Sequence, residues 1–256
     1  PCRSRGLGDV YKRQVQLKVS LKDLEQIWGH HLDQAIPLQH LVGRCPWRDL
    51  ELEVSAAALI PRQETEVLVD LALETIAGMS IERWADLGTG SGAIAVALSR
   101  AMWATPGHAV DLSPDALALA RTNLEALAPK GKWHLHQGRW WEPLEPWWGH
   151  IDLVVCNPPY IPSDLIHNLD PVVRDHEPHL ALAGGIDGLQ AIREVVVGAC
   201  RALAPGGWIL IEHHHDQSAP VLKLLNQAGL SSIRAARDLE GVNRFALARR
   251  SLSPCS

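Results

Sequence analysis

The chain is poor in two of its three aromatics. It has one Phe and two Tyr against ten Trp in 256 residues, so a Tyr or Phe at a site of chemistry would stand out. It also lacks basic excess. Its 24 Lys and Arg against 29 Asp and Glu leave a formal charge of -5, without the cationic field that drives sequence-independent nucleic-acid binding. No apolar run approaches the roughly 18 to 20 residues that span a bilayer, which excludes an integral membrane protein. The five cysteines (Cys2, Cys45, Cys156, Cys200, Cys255) are odd in number, scattered and without a CxxC pair. That pattern fits a reduced, cytoplasmic protein and not a disulfide framework or zinc module. Neither GxGxxG nor GK[ST] occurs, which excludes the dinucleotide fingerprint and the P-loop.

What is present is 46% hydrophobic and 21% charged residues, the make-up of a soluble globular chain with one main core and a small appendage. Residues 1–14, PCRSRGLGDVYKRQ, show no periodicity and read as a non-native tail; the closing 251–256, SLSPCS, reads the same way. Tyr160 is then the one tyrosine of the native chain. Leu21, Leu24, Ile27 and Trp28 stand at helical spacing behind Ser20 as N-cap. A hairpin is expected over Leu41–Val54 with Trp47-Arg48-Asp49 near its turn, then a helix over Glu64–Ala77 stopped by Gly78. Its apolar stripe is Val67, Leu68, Leu71, Ala72 and Ile76.

From Trp84 onward strands and helices alternate. Strands are expected at 84–87, 108–111, 133–136, 151–156, 208–212, 232–236 and 244–248, and helices at 92–102, 114–127, 189–203 and 221–228. Pro205-Gly206-Gly207 reads as a turn. Short, continuous apolar strands separated by helices imply a mostly parallel sheet covered on both faces. The last two, joined near Glu240-Gly241, imply an antiparallel final hairpin. The fold class expected is α/β: a Rossmann-like sheet of seven strands.

Two motifs fall at the carboxyl edge of that sheet, where such folds bind ligands. Gly88-Thr89-Gly90-Ser91-Gly92 joins a strand to a helix, and its three glycines permit a tight turn that a ligand can touch through backbone. Nineteen residues after Gly92, Asp111 ends the next strand, where a carboxylate can accept from both ribose hydroxyls of a nucleoside. With no phosphate-binding motif, the pair favours S-adenosylmethionine. Asn157-Pro158-Pro159-Tyr160 follows the buried strand IDLVVC. Two prolines hold an extended, rigid bend. There the Asn157 side-chain carbonyl and the Pro158 backbone carbonyl can each accept one hydrogen of a planar NH2 group, on an amide or an adenine. Tyr160 supplies an aromatic face. Positioning of this kind lowers a barrier without a strong base.

These residues resemble the N5-glutamine methyltransferases of peptide-chain release factors, the HemK/PrmC group. The match extends over about residues 37–250: PLQHLVGRCPWRDLELEVS, LIPRQETE, DLGTGSGAIAVALS, AVDLSPDALALA, CNPPYIP, VVRDHEPHLALAGGIDGL, GGWILIEH and DLEGVNRFALARR. The resemblance implies that Gly88, Thr89, Gly90, Ser91, Gly92, Asp111, Trp140 and Asn157 line the cofactor site. It implies that Asn157, Pro158, Pro159 and Tyr160 hold the glutamine, with Pro61, Arg62, Glu64 and Glu66 edging the pocket. The implied substrate is the Gln of the Gly-Gly-Gln loop in class-I release factors. It implies also a bacterial, cyanobacterial-like chain shortened at its N-terminus, with 15–36 the remnant of a helical domain, 37–58 a linking hairpin and 59–250 the methyltransferase domain. A monomer is expected.

Gln63 stands where the family has Pro, Arg139 where an acidic or small residue is common, and Glu212-His213-His214-His215 where Glu-His-Gly is usual. Rival readings are glutamine of a ribosomal protein, N6 of adenine in nucleic acid, or a binding module without catalysis. The acidic charge opposes nucleic acid. A metal site from His213–His215 with His134 and His136 is not expected, because consecutive residues of a strand alternate faces. Cys156 reads as a small buried hydrophobe. Trp141, Trp147 and Trp148 read as packing or surface aromatics.

Overall fold

Ile151–Cys156 (β6) is apolar except for Asp152, and it becomes a central strand with both faces covered. The computed structural model describes residues 20–252. The proposed tail 1–14, residues 15–19 of the N-terminal remnant, and 253–256 of the closing tail lie outside the described residues. Around β6 the sheet is completed by Trp84–Leu87 (β3), Gly107–Asp111 (β4), Trp133–Gln137 (β5), Leu203–Glu212 (β7), Ser231–Arg237 (β8) and Asn243–Arg249 (β9). The strand order is β5-β4-β3-β6-β7-β9-β8, parallel except for β9, which runs antiparallel to both its neighbours. The seven-stranded expectation holds, with the final pair antiparallel. The chain winds outward from β3 to β5 and then returns to β6 on the opposite side of β3, so β3 and β6 flank the topological switch point.

Alternation along each strand feeds two cores. Ala85, Leu87, Val154 and Cys156 pack on one face with Gln190–Ala202 (α8) and Ser218–Gln227 (α9). Trp84, Leu153 and Val155 pack on the other with Glu64–Thr75 (α3), Ala93–Ala101 (α4) and Pro114–Leu127 (α5). The single phenylalanine, Phe245, lies in that second core, fully buried. Helix α5 begins at the expected residue because Ser113 accepts from the Ala116 N–H and Pro114 sits in the first turn. In α3 the buried side is Thr65, Leu68, Val69 and Ala72, with Val67 and Leu71 at its edge, so the stripe is rotated from the expected one.

Leu21–Gln34 (α1) starts at Ser20, whose hydroxyl and Asp23 form a capping box. The hairpin is shorter than expected. Leu38–Val42 (α2) is a helical turn ended by Gly43, and only Arg44–Trp47 (β1) and Leu50–Glu53 (β2) pair. Trp47, Leu50 and Leu52 plug this hairpin into the second core. Pro205-Gly206-Gly207 is not a free turn. It is an outward bulge within β7, where pairing with β6 jumps from Ile151–Leu203 to Leu153–Trp208. Pro171–Arg174 (α6) and His179–Leu182 (α7) are single turns in the long segment after β6. Among the described residues no helix is long and apolar enough to cross a membrane. Cys45 and Cys156 are free thiols.

Candidate active site

The glycine turn leaves β3 and hooks back beneath β4, the Gly88 and Thr89 N–H groups both donating to the Val110 carbonyl at 2.9 Å. Gly88 and Gly92 take φ of +76° and +82°, the left-handed region that glycine enters without strain. At both positions a side chain would also be tightly crowded: a Cβ on Gly88 would lie 3.2 Å from the Trp140 ring, and one on Gly92 3.0 Å from Ala120. The turn is therefore pressed between helix α5 below and an aromatic plate above.

Asp111, at the end of β4, accepts the Gly90 N–H at 2.8 Å through one oxygen and the Ser113 N–H at 2.9 Å through the other. Each oxygen keeps a lone pair for a ligand. Burial raises the Asp111 carboxyl above its ordinary range, and the two N–H donors oppose that. Beneath the turn Asp86 is wholly buried and pushed up to about 7 by desolvation, with Asp111 adding repulsion and the Thr89 hydroxyl, 2.6 Å away, opposing. Asn123 fixes the turn to the hairpin, donating to Ser91 and Glu53 carbonyls and accepting the Glu53 N–H.

Trp140 itself has φ of +47°. Its indole N–H donates to Glu194 of α8 at 2.9 Å, and Arg139 grips the same carboxylate with two nitrogens at 2.7 Å. The unusual Arg139 thus anchors the glutamate that orients Trp140.

These groups and two residues of the tetrapeptide, Asn157 and Pro159, share one cavity of about 270 Å³. Gly88 to Ser91, Asp111 and Trp140 line one part, and Asn157, Pro159, Pro61, Arg62 and Thr65 another. The rest of the predicted set is close behind or elsewhere. Pro158 is buried beneath its neighbours. Tyr160 directs its hydroxyl to Glu212 at 3.4 Å. Gly92 caps α4, at the end of the glycine turn. Glu64 acts electrostatically on Glu212 and Arg244. Glu66 turns away, receiving the Arg48 N–H at 2.9 Å and thereby securing the hairpin turn.

Four site residues escaped the sequence reading: Thr65, Glu177, Glu194 and Glu212. Asn157 donates its side-chain NH2 to Thr65 at 3.2 Å, and Thr65 donates to Glu212 at 2.8 Å. Glu177, from the HEP segment, reaches Arg62 at 2.6 Å and the Ile60 N–H at 3.2 Å, tying that segment to the LIPR loop. A signal was present for Glu212, which ends the apolar run Trp208–Ile211 and must find partners when buried; Glu177, flanked by His176, Pro178 and His179, gave none. The histidines form two separate groups. His134 and His136 stack with His108, and His214 rests 4.1 Å from His215.

A switch-point cleft with a glycine turn, an acceptor carboxylate on β4 and a tetrapeptide after β6 defines the class-I methyltransferase fold. The Methyltransferase small domain family matches residues 63–169. Solved structures agree on the fold. The hMettl16 catalytic domain, bound to the MAT2A 3'UTR hairpin 6, superposes with a TM-score of 0.61 at 15% identity, over 94% of this chain and 87% of that one. A methyltransferase from Pyrococcus furiosus gives 0.57 at 14%, over 91% and 100%.

Sequence relatives narrow the class. The release factor glutamine methyltransferase of Prochlorococcus marinus is 57% identical over 92% of this chain and 81% of its own length. That of Thermosynechococcus vestitus is 42% identical over 92% and 82%. The chain belongs to the release factor glutamine methyltransferase family.

Proposed function

We propose that this protein transfers the methyl group of S-adenosylmethionine to the side-chain amide nitrogen, N5, of the glutamine in the Gly-Gly-Gln loop of class-I release factors. The supporting observation is that the cofactor candidates Gly88 to Ser91 and Asp111 line the same cavity as Asn157 and Pro159. Donor and acceptor can therefore meet without a domain movement.

The donor set suits that cofactor. Two backbone-held carboxylate oxygens face a ribose, Trp140 offers a flat apolar surface, and no cationic cradle for phosphate is present among the lining residues apart from Arg62 and Arg139, both already paired with glutamates. When bound, S-adenosylmethionine supplies an electrophilic methyl on a sulfonium sulfur. Gly88, Thr89 and Gly90 shape the turn it would rest on, and Asp111 would hold the sugar. Asn157 and Pro158 carbonyls take the two amide hydrogens of the glutamine, aligning its weakly nucleophilic nitrogen. With both groups held there, the nitrogen would gain the methyl as the sulfur–carbon bond breaks, and the proton it then sheds would pass to water. Arg62 and Glu177 fasten the LIPR and HEP segments beside the entrance. The same reading makes the protein a cytoplasmic monomer, with 37–58 a hairpin that braces the catalytic domain at 59–250.

Incubation with methyl-labelled S-adenosylmethionine and a bacterial release factor, followed by peptide mass spectrometry, tests this reading. Label on the Gly-Gly-Gln peptide is expected. Label on a ribosomal protein or on DNA, or none, overturns it.

A further inference from the structure

The side-chain amide of Asn157 has two ends of nearly equal shape and opposite chemistry. Only its oxygen can accept a hydrogen from a substrate NH2 group; its own NH2 presented there would set donor against donor. Something must choose between the two orientations.

We propose that Thr65 and Glu212 make that choice, as positioning residues that present the Asn157 oxygen to the substrate. This rests on the methyltransfer reading above and adds two residues to it. Glu212 closes β7, fully enclosed, and as a carboxylate it can only accept. It takes the Thr65 hydroxyl at 2.8 Å on one oxygen and the Tyr160 hydroxyl at 3.4 Å on the other. The Thr65 hydrogen is thereby committed, so its oxygen faces Asn157 as an acceptor. At 3.2 Å it is satisfied only by the Asn157 NH2. The Asn157 oxygen is left for the cavity. A single buried carboxylate thus holds both ends of the tetrapeptide, Asn157 through Thr65 and Tyr160 directly, and it does so by fixing the direction of each hydrogen bond.

This relay requires an ionised Glu212. Burial pushes its carboxyl up to about 7, while the Thr65 and Tyr160 hydroxyls favour the anion. Glu64 of α3 opposes ionisation and Arg244 of β9 favours it; the Cys156 thiol of β6 lies within electrostatic reach. Once protonated, Glu212 can donate to Thr65, whose hydrogen is then free to meet the Asn157 oxygen and turn the amide round.

The test compares Thr65→Val, Thr65→Ser and Glu212→Gln in the full-length protein. Misdirecting one positioning group lowers turnover by about 100-fold. Thr65→Val is expected to lose kcat on that scale, with KM for the release factor and affinity for S-adenosylmethionine within about threefold, and Thr65→Ser to restore it. In the cofactor-free protein, the Asn157 side-chain NH2 resonance, assigned with Asn157→Asp, should shift in Thr65→Val and return in Thr65→Ser. Glu212→Gln should flatten the rise of kcat through about pH 7 relative to wild type; Asp86 ionises in the same range, so the comparison and not the absolute profile is read. If Thr65→Val does not fold, the Glu212→Gln profile decides alone. Wild type without release-factor methylation overturns the function itself. Wild type that methylates, with Thr65→Val turning over within threefold, an unmoved NH2 resonance or an unchanged Glu212→Gln profile, overturns the relay alone.

Discussion

Arg62 and Glu177 meet at 2.6 Å across 115 residues of sequence, joining the loop before α3 to the segment after β6 beside the cavity. The Glu177 side chain is 1% exposed and that of Arg62 36%, so the pair is buried at its acidic end only. Burial raises the Glu177 carboxyl, and Arg62 and the Ile60 N–H hold it back. Arg62→Met leaves a buried carboxylate with one donor; with the exposed guanidinium end discounted for screening, about 1–2 kcal/mol of stability should be lost. Glu177→Gln removes the buried charge and offers one acceptor oxygen, which can keep the buried Ile60 N–H while the half-exposed Arg62 turns to water, so it should lose less. Urea denaturation ranks the two, and an equal or reversed ranking refutes the buried-end argument.

Asp111 has both oxygens held by backbone N–H groups before any ligand arrives. Hydrogen bonds to a charged acceptor contribute about 1.5–3 kcal/mol. Asp111→Ala should therefore weaken S-adenosylmethionine binding by about 10- to 100-fold in calorimetric titration. It should also lower stability, since two N–H groups lose their acceptor. Unchanged affinity would remove Asp111 from the cofactor site.

Arg139 departs from the residue common at its position, and its geometry shows a support. Its bond to Glu194 is largely solvent-facing, with Arg139 48% exposed, and such pairs contribute about 0–1 kcal/mol. Arg139→Gln should leave stability within that range and cofactor affinity within about threefold, because Glu194 still receives the Trp140 indole N–H. Glu194→Leu removes that acceptor and should weaken binding more. Calorimetry on the two variants decides; a larger loss in Arg139→Gln contradicts the assignment of Glu194 as the anchor of Trp140.

What the sequence made legible was local. Helix α5 could be bounded from Ser113 and Pro114 because a cap and a first-turn proline act within four residues. β6 was visible as an apolar run, and the glycine turn and Asn157–Tyr160 as motifs contiguous in the chain. The segment 160–189 was not legible, since α6 and α7 are single turns with no periodicity to read and take their shape from tertiary contacts. Thr65 and Glu212 are 147 residues apart, Trp140 and Glu194 are 54 apart. A partnership of that range leaves no spacing pattern. Glu66 misled for the opposite reason: its neighbour Thr65 does reach the cavity, but adjacent residues of a helix face different directions, and Glu66 turns toward Arg48.

Two sets of buried groups should pull stability in opposite directions with pH. His108 is buried against Trp147 and bonded to His136 at 2.9 Å. Burial, then repulsion from His136, Arg83 and His134, depresses it from 6.5 to about 3. The folded state binds fewer protons there than the unfolded chain, so the contribution is present above about pH 6.5 and is lost as pH falls toward 3. Asp86 and Glu212 are raised to about 7. For them the folded state binds more protons, and their contribution, full at about pH 4, is lost as pH rises through 7. His108→Phe, which keeps a ring against Trp147, should remove part of the acid-side loss. Glu212→Gln should remove part of the loss that builds up between about pH 4.5 and 7, so that its stability rises relative to wild type across that interval. Urea midpoints measured across about pH 4 to 8 resolve the two limbs. Parallel curves for wild type and both variants would show that neither group titrates differently on folding, and would refute both signs at once.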